Sequence, residues 1–79
     1  SSRVEQASIQ QRLERLTPRQ RDVLKGVLAG QSSKEIAFDL GLSPKTVDVH
    51  RFRIMQQMQA QSLPDLFRLV TLAQGKKGL

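Results

Sequence analysis

Apolar residues along this chain recur at the i, i+3, i+4 and i+7 spacing of amphipathic helices, and nowhere alternate for more than a few positions as a half-buried strand would. Four segments carry the helical pattern clearly. Residues 18–29 present Val23, Leu24, Val27 and Leu28 on one stripe, and residues 33–40 present Ile36, Ala37 and Leu40. Residues 44–59 present Val47, Ile54 and Met58, and residues 63–73 present Leu63, Leu66, Phe67 and Val70. Residues 3–15 are more polar, with Val4, Ile9, Leu13 and the following Leu16 as apolar positions, and read as a partly helical lead-in. The predicted fold class is all-α: four helices around one core, behind a partly helical N-terminal linker. The corresponding boundaries are 1–15 for the linker, 16–74 for the domain and 75–79 for a flexible tail.

Punctuation between the segments agrees with the periodicity. Thr17-Pro18, Ser43-Pro44 and Ser62 with Pro64 each pair a capping hydroxyl with a proline. Proline suits the first helical turn because the N–H it lacks would have no partner there. Ser32 and Glu35 stand at the spacing of a capping box. Gly30, Gly41 and Gly75 each follow an apolar-periodic stretch and are candidates for the left-handed residue that closes a helix.

The junction Leu40-Gly41-Leu42-Ser43-Pro44 changes the picture from a generic helical bundle to a helix-turn-helix. A short helix and a long one are joined by three residues with glycine where a positive φ is needed. In that geometry the second helix lies in the major groove of DNA and the first braces it across the backbone. On a wheel of about 100° per residue, Val47, Ile54 and Met58 mark the core side of residues 44–59. Lys45, Val49, Phe52, Arg53 and Gln56 fall opposite, with Asp48 at the edge. Val49 and Phe52 suit thymine methyl groups, and Asp48 suits the amino group of cytosine. As surface residues without a ligand, the first two would be ordinary exposed apolar groups and the third an acid favouring the helix dipole. Lys34, Lys45, Thr46, His50, Arg51 and Arg53 are the candidate contacts to the DNA backbone. His50 and Arg51 sit nearer the core stripe. The Arg51 stem packs there while its head reaches a phosphate or an acid such as Glu35.

Composition narrows the function further. Thirteen Lys and Arg against 7 Asp and Glu give a net charge of +6, which favours an anionic partner. Within residues 34–53 the surplus is small, because Lys34, Lys45, Arg51 and Arg53 face Glu35, Asp39 and Asp48. One copy should therefore bind DNA weakly. With no Cys, no Tyr, no Trp and 1 His, the chain offers no thiolate or metal site and no catalytic constellation, so neither an enzyme nor a cofactor is expected. No apolar run approaches the roughly 18 residues of a membrane span and no signal-peptide pattern opens the chain, so a cytoplasmic compartment is expected. The opening Ser1-Ser2 reads as a segment of a longer protein.

The stretch from Leu16 through Thr17, Pro18, Arg19, Gln20, Arg21, Asp22 and Val23 to Leu24 resembles the opening motif of LuxR-type DNA-binding domains. Lys34-Glu35-Ile36-Ala37, Leu42-Ser43, Thr46-Val47, His50 and Ile54 continue that pattern at the expected spacings. Val49-His50-Arg51, Met55, Met58 and Ser62-Leu63-Pro64 resemble most closely the output domains of FixJ-type response regulators. The resemblance covers about residues 16–73. It implies a four-helix domain that binds promoter DNA as a dimer and activates transcription behind a phosphorylated N-terminal receiver domain. RNA polymerase is a further partner of such proteins. In the family the positions equivalent to Asp48, Val49 and Phe52 contact bases. Two of them are often basic in relatives, so no operator sequence carries over. Gln20 and Asp22 stand where the opening motif usually has Glu. The resemblance also assigns dimerisation to the last helix, on which Leu69 and Leu72 point away from the expected core stripe. Packing of that face against residues 3–15 is the alternative. From a different functional class, the competing expectation is a helical protein-interaction module that keeps the helix-turn-helix shape.

Overall fold

The computed structural model of the protein describes residues 2–74. It contains five helices: α1 (Ser2–Glu14), α2 (Pro18–Leu28), α3 (Ser33–Leu40), α4 (Pro44–Met58) and α5 (Leu63–Gln74). No strand occurs among the described residues. Gly75 and the tail expected over 75–79 lie outside them.

Every predicted N-cap forms. The Thr17 hydroxyl accepts the Gln20 amide at 3.1 Å, and the Gln20 side chain accepts the Thr17 amide at 3.0 Å. Gln20 thus does the work of the glutamate usual in a capping box, since only an acceptor oxygen is required there. Ser32 and Glu35 make the same reciprocal pair at 3.1 and 2.8 Å. Ser43 accepts the Thr46 amide at 3.1 Å, and Ser62 accepts the Asp65 amide at 3.2 Å. The C-terminal signals at Gly30 and Gly41 hold as well. Gly30 and Gly41 adopt φ of +84° and +70°. Beyond each, the chain folds back: the Gln31 amide donates to Gly26 and the Leu42 amide to Ala37. α4 ends one residue before the predicted boundary by the same device without glycine. Gln59 takes φ +57°, and the Ala60 amide donates to Met55. A side chain in that conformation costs about 1 kcal/mol, which is why sequence alone does not mark the stop.

The described residues divide into two compact units, 16–54 in one and 2–15 with 55–74 in the other. In the unit of residues 16–54 the buried side chains are Leu16, Val23, Leu24, Val27, Ile36, Ala37, Val47 and Ile54. Apart from Leu16, they lie on the stripes expected of α2, α3 and the first part of α4, of which Leu28 and Leu40 are only half-buried. α2 and α3 pack closely enough that a Cβ on Gly26 would stand 2.6 Å from Ile36 Cγ1 and 2.8 Å from Gln31 Oε1. Glycine in the last turn of α2 is therefore a packing requirement, despite its poor helix propensity.

In the other unit α1 packs on α5, and Ile9, Met58, Leu66, Leu69, Val70 and Ala73 are buried. Two expectations are corrected here. First, the lead-in is a complete helix with a buried face. Gln6 donates to the Ala73 carbonyl, Arg12 to the Met58 carbonyl, and Gln57 back to the Arg12 carbonyl. Second, the inward stripe of α5 is Leu66, Leu69, Val70 and Ala73, whereas Leu63 and Phe67 are 39% and 37% exposed. Leu69, expected to be exposed for a partner helix, is 5% exposed, and Leu72 is half-buried. α5 is apolar at so many positions that both registers satisfy the i, i+3, i+4, i+7 rule. Its partner α1 selects the second.

Candidate nucleic-acid interface

α3, the Gly41 turn and α4 up to Ile54 carry every residue proposed to meet DNA, and all lie in one unit. The turn is fixed at both ends. The left-handed Gly41 closes α3, and two residues later the Ser43 hydroxyl opens α4. Val47 and Ile54, at 0% and 1% exposure, pin α4 by its inner side. What remains outward is set by helical geometry. Asp48, Val49, Phe52 and Arg53 are exposed, Val49 at 46% and Phe52 at 62%. Two large apolar side chains one turn apart on a solvent face carry an unfavourable hydration cost. A ligand that covers them would remove it.

The candidate backbone contacts divide into two groups. Lys34, Lys45, Thr46 and Arg53 are exposed, whereas His50 and Arg51 are half-buried. The His50 Nδ1 is buried with no hydrogen-bond partner, so only the other ring nitrogen of His50 is available to a phosphate. The Thr46 hydroxyl lies 2.9 Å from that of Ser43 and shares a hydrogen bond with it. The Glu35 carboxylate, one of the partners considered for Arg51, is turned back on the Ser32 amide.

Two features of this region were not anticipated. The Ser33 hydroxyl donates to Asp48 Oδ1 at 2.6 Å, joining the first turn of α3 to α4 just past its own first turn. No sequence signal marks it, because the residues are 15 apart and each is unremarkable by itself. Phe38 on α3 is 88% exposed, beside a hollow lined by Gln31, Lys34, Glu35 and Asp39. An aromatic residue off the apolar stripe of its helix was the available signal. Elsewhere, no group of acids and histidines that could hold a metal occurs among the described residues, and no described helix is long and apolar enough to cross a membrane.

Comparison with known proteins agrees with this geometry. Residues 14–70 match the family model described as bacterial regulatory proteins, luxR family. The chain is 51% identical over 61 residues to the transcriptional regulatory protein FixJ of Rhizobium meliloti, covering 77% of this chain and 30% of that protein. It is 40% identical over 63 residues to nodulation protein W of Bradyrhizobium diazoefficiens, covering 80% of this chain and 28% of that protein. The crystal structure of full-length FixJ from B. japonicum superposes with a TM-score of 0.83 at 41% identity, covering 92% of this chain and 36% of that one. The chain thus spans about a third of the length of these relatives. A helix-turn-helix with an open outer face on its second helix, matched over residues 14–70 by one family model, places the chain in the luxR family of bacterial regulatory proteins.

Proposed function

We propose that the chain is a sequence-specific promoter-binding domain, the output half of a two-component response regulator that activates transcription. The observation that carries the reading is the outer face of α4, where Asp48, Val49 and Phe52 stand exposed directly behind the helix-turn-helix turn. In this reading α4 enters the major groove and those three side chains meet base edges. Lys34, Lys45, Thr46 and Arg53 fix the register on the phosphates, with His50 and Arg51 in supporting contacts. A receiver domain on the same polypeptide controls the output, and RNA polymerase is the downstream partner.

Weak homodimerisation through α5 completes the proposal. Because Leu69 is withdrawn into the core, the apolar residues free for a second copy are Leu63 and Phe67, with Leu72 at the edge. So small a surface supports only weak association of the isolated domain.

Selection from a pool of randomised duplexes tests the reading. A recovered consensus is expected, and Val49→Ala or Phe52→Ala should weaken binding to it more than to random DNA. Recovery of no consensus, or an equal loss on every sequence, would remove base readout from the account.

A second reading is favoured by Phe38. Its exposure beside Glu35 and Asp39 suits a protein surface rather than a polyanion. If Phe38 serves a protein partner, Phe38→Ala leaves DNA affinity intact while impairing transcription in cells. A fall in DNA affinity of the same size as the transcriptional loss would argue against it.

A further inference from the structure

We infer that Ser33 is a positioning residue for sequence discrimination, holding the Asp48 carboxylate in the orientation from which it reads a cytosine amino group. The inference rests on the DNA-binding reading above and adds a residue that makes no contact with a base itself.

The Ser33 hydroxyl donates to Asp48 Oδ1 at 2.6 Å, the short separation of an O–H bond to an ionised oxygen. A carboxylate has about four acceptor positions, so this bond consumes one and leaves both positions on Oδ2 open. Asp48 is exposed, just past the first turn of a helix whose outer face carries Val49 and Phe52. Left alone, such a side chain would sample several rotamers, some of them toward the phosphates, where like charge repels it. The bond from α3 removes that freedom and draws off part of the charge. The fixed carboxylate then rejects a base edge that presents acceptors, such as the guanine O6 and N7, and accepts the cytosine N4 amino group.

The same geometry says what Ser33 does not do. Its single hydroxyl proton is committed to Asp48, so it cannot also donate to a phosphate oxygen. Nor is Ser33 needed to start α3, because the adjacent Ser32 supplies the cap. Removal of the Ser33 hydroxyl therefore tests positioning without removing the cap.

The experiment measures the affinities of wild type, Ser33→Ala, Ser33→Thr, Asp48→Ala and the Ser33→Ala/Asp48→Ala double variant. Three duplexes are used: the selected consensus, single-base-pair variants of it, and a random sequence. Ser33→Ala should reduce discrimination at one cytosine-containing base pair by about tenfold, within what a base-edge contact supplies. Affinity for random DNA should stay unchanged. Ser33→Thr, which keeps the hydroxyl, should restore the preference. Asp48→Ala should lose preference at the same base pair, and the double variant should lose no more. An unchanged preference in Ser33→Ala, or an equal loss on all three duplexes, would overturn the inference while leaving the DNA-binding reading intact. Absence of any sequence preference in the wild type would overturn both.

Discussion

At the scale of single residues, two positions have opposite consequences for stability. Gly26→Ala would ordinarily stabilise a helix, by about 1 kcal/mol. Here the new methyl would meet Ile36, itself 1% exposed and unable to withdraw. Overpacking of this kind costs about 1–3 kcal/mol, so net destabilisation is expected in urea unfolding. A stabilised variant would mean that α2 and α3 lie farther apart than described. Gln59→Gly should do the reverse, relieving the left-handed strain at φ +57° and gaining up to about 1 kcal/mol. An unchanged or lowered midpoint would contradict that backbone assignment. On the DNA side, Lys45→Ala should lower the slope of log K against log salt by about one unit, as loss of one phosphate contact does. An unchanged slope would take Lys45 off the contact surface.

Among the elements, α1 and α5 show where sequence reasoning succeeded and where it stopped. The caps at Thr17, Ser32, Ser43 and Ser62 and the turns at Gly30 and Gly41 were legible because each acts within a few residues, through a hydroxyl, an amide or a missing Cβ. The stripes of α2, α3 and α4 were legible because each runs at helical spacing along one side, although Phe38, Val49 and Phe52 lie off them. α5 has two overlapping ones, and the choice between them depends on α1, 60 or so residues away in sequence and too polar to announce itself as a packed helix. The Ser33–Asp48 bond was hidden for the same reason, being a contact between elements. A direct test of α1 is Ile9→Ala. A buried isoleucine should cost about 2–5 kcal/mol, whereas a linker position would change stability by about 0.5 kcal/mol or less. The start of α5 adds a pH dependence. The Asp65 carboxylate accepts the Gln61 amide and pairs with Arg68 at 2.9 Å, and both hold it below its ordinary value of 3.8. A depressed folded-state value stabilises the fold above the unfolded value and is lost as pH falls through the folded one. The stability difference between wild type and Asp65→Asn should therefore be constant at neutral pH and shrink in acid below about pH 4. A difference that grows in acid would reverse the assignment.

For the molecule as a whole, electrostatics and shape point the same way but with unequal weight. The net charge of +6 is spread along the chain, while the outer faces of α3 and α4 carry acids among their basic groups. In the proposed reading, long-range attraction to DNA is general and selectivity falls to a few side chains on α4. Under the proposed dimeric binding, two copies on adjacent half-sites would multiply modest individual affinities. The general attraction makes salt dependence the most direct test of the central claim. The chain should be titrated into a random-sequence duplex at several salt concentrations. The expected dissociation constant is about 1–100 µM at physiological salt and lower at low salt, with log K falling linearly in log salt by about 0.9 for each phosphate contacted. Absence of binding at low salt, or affinity indifferent to salt, would contradict a DNA-binding surface and leave the exposed faces of α3 and α4 to a protein partner.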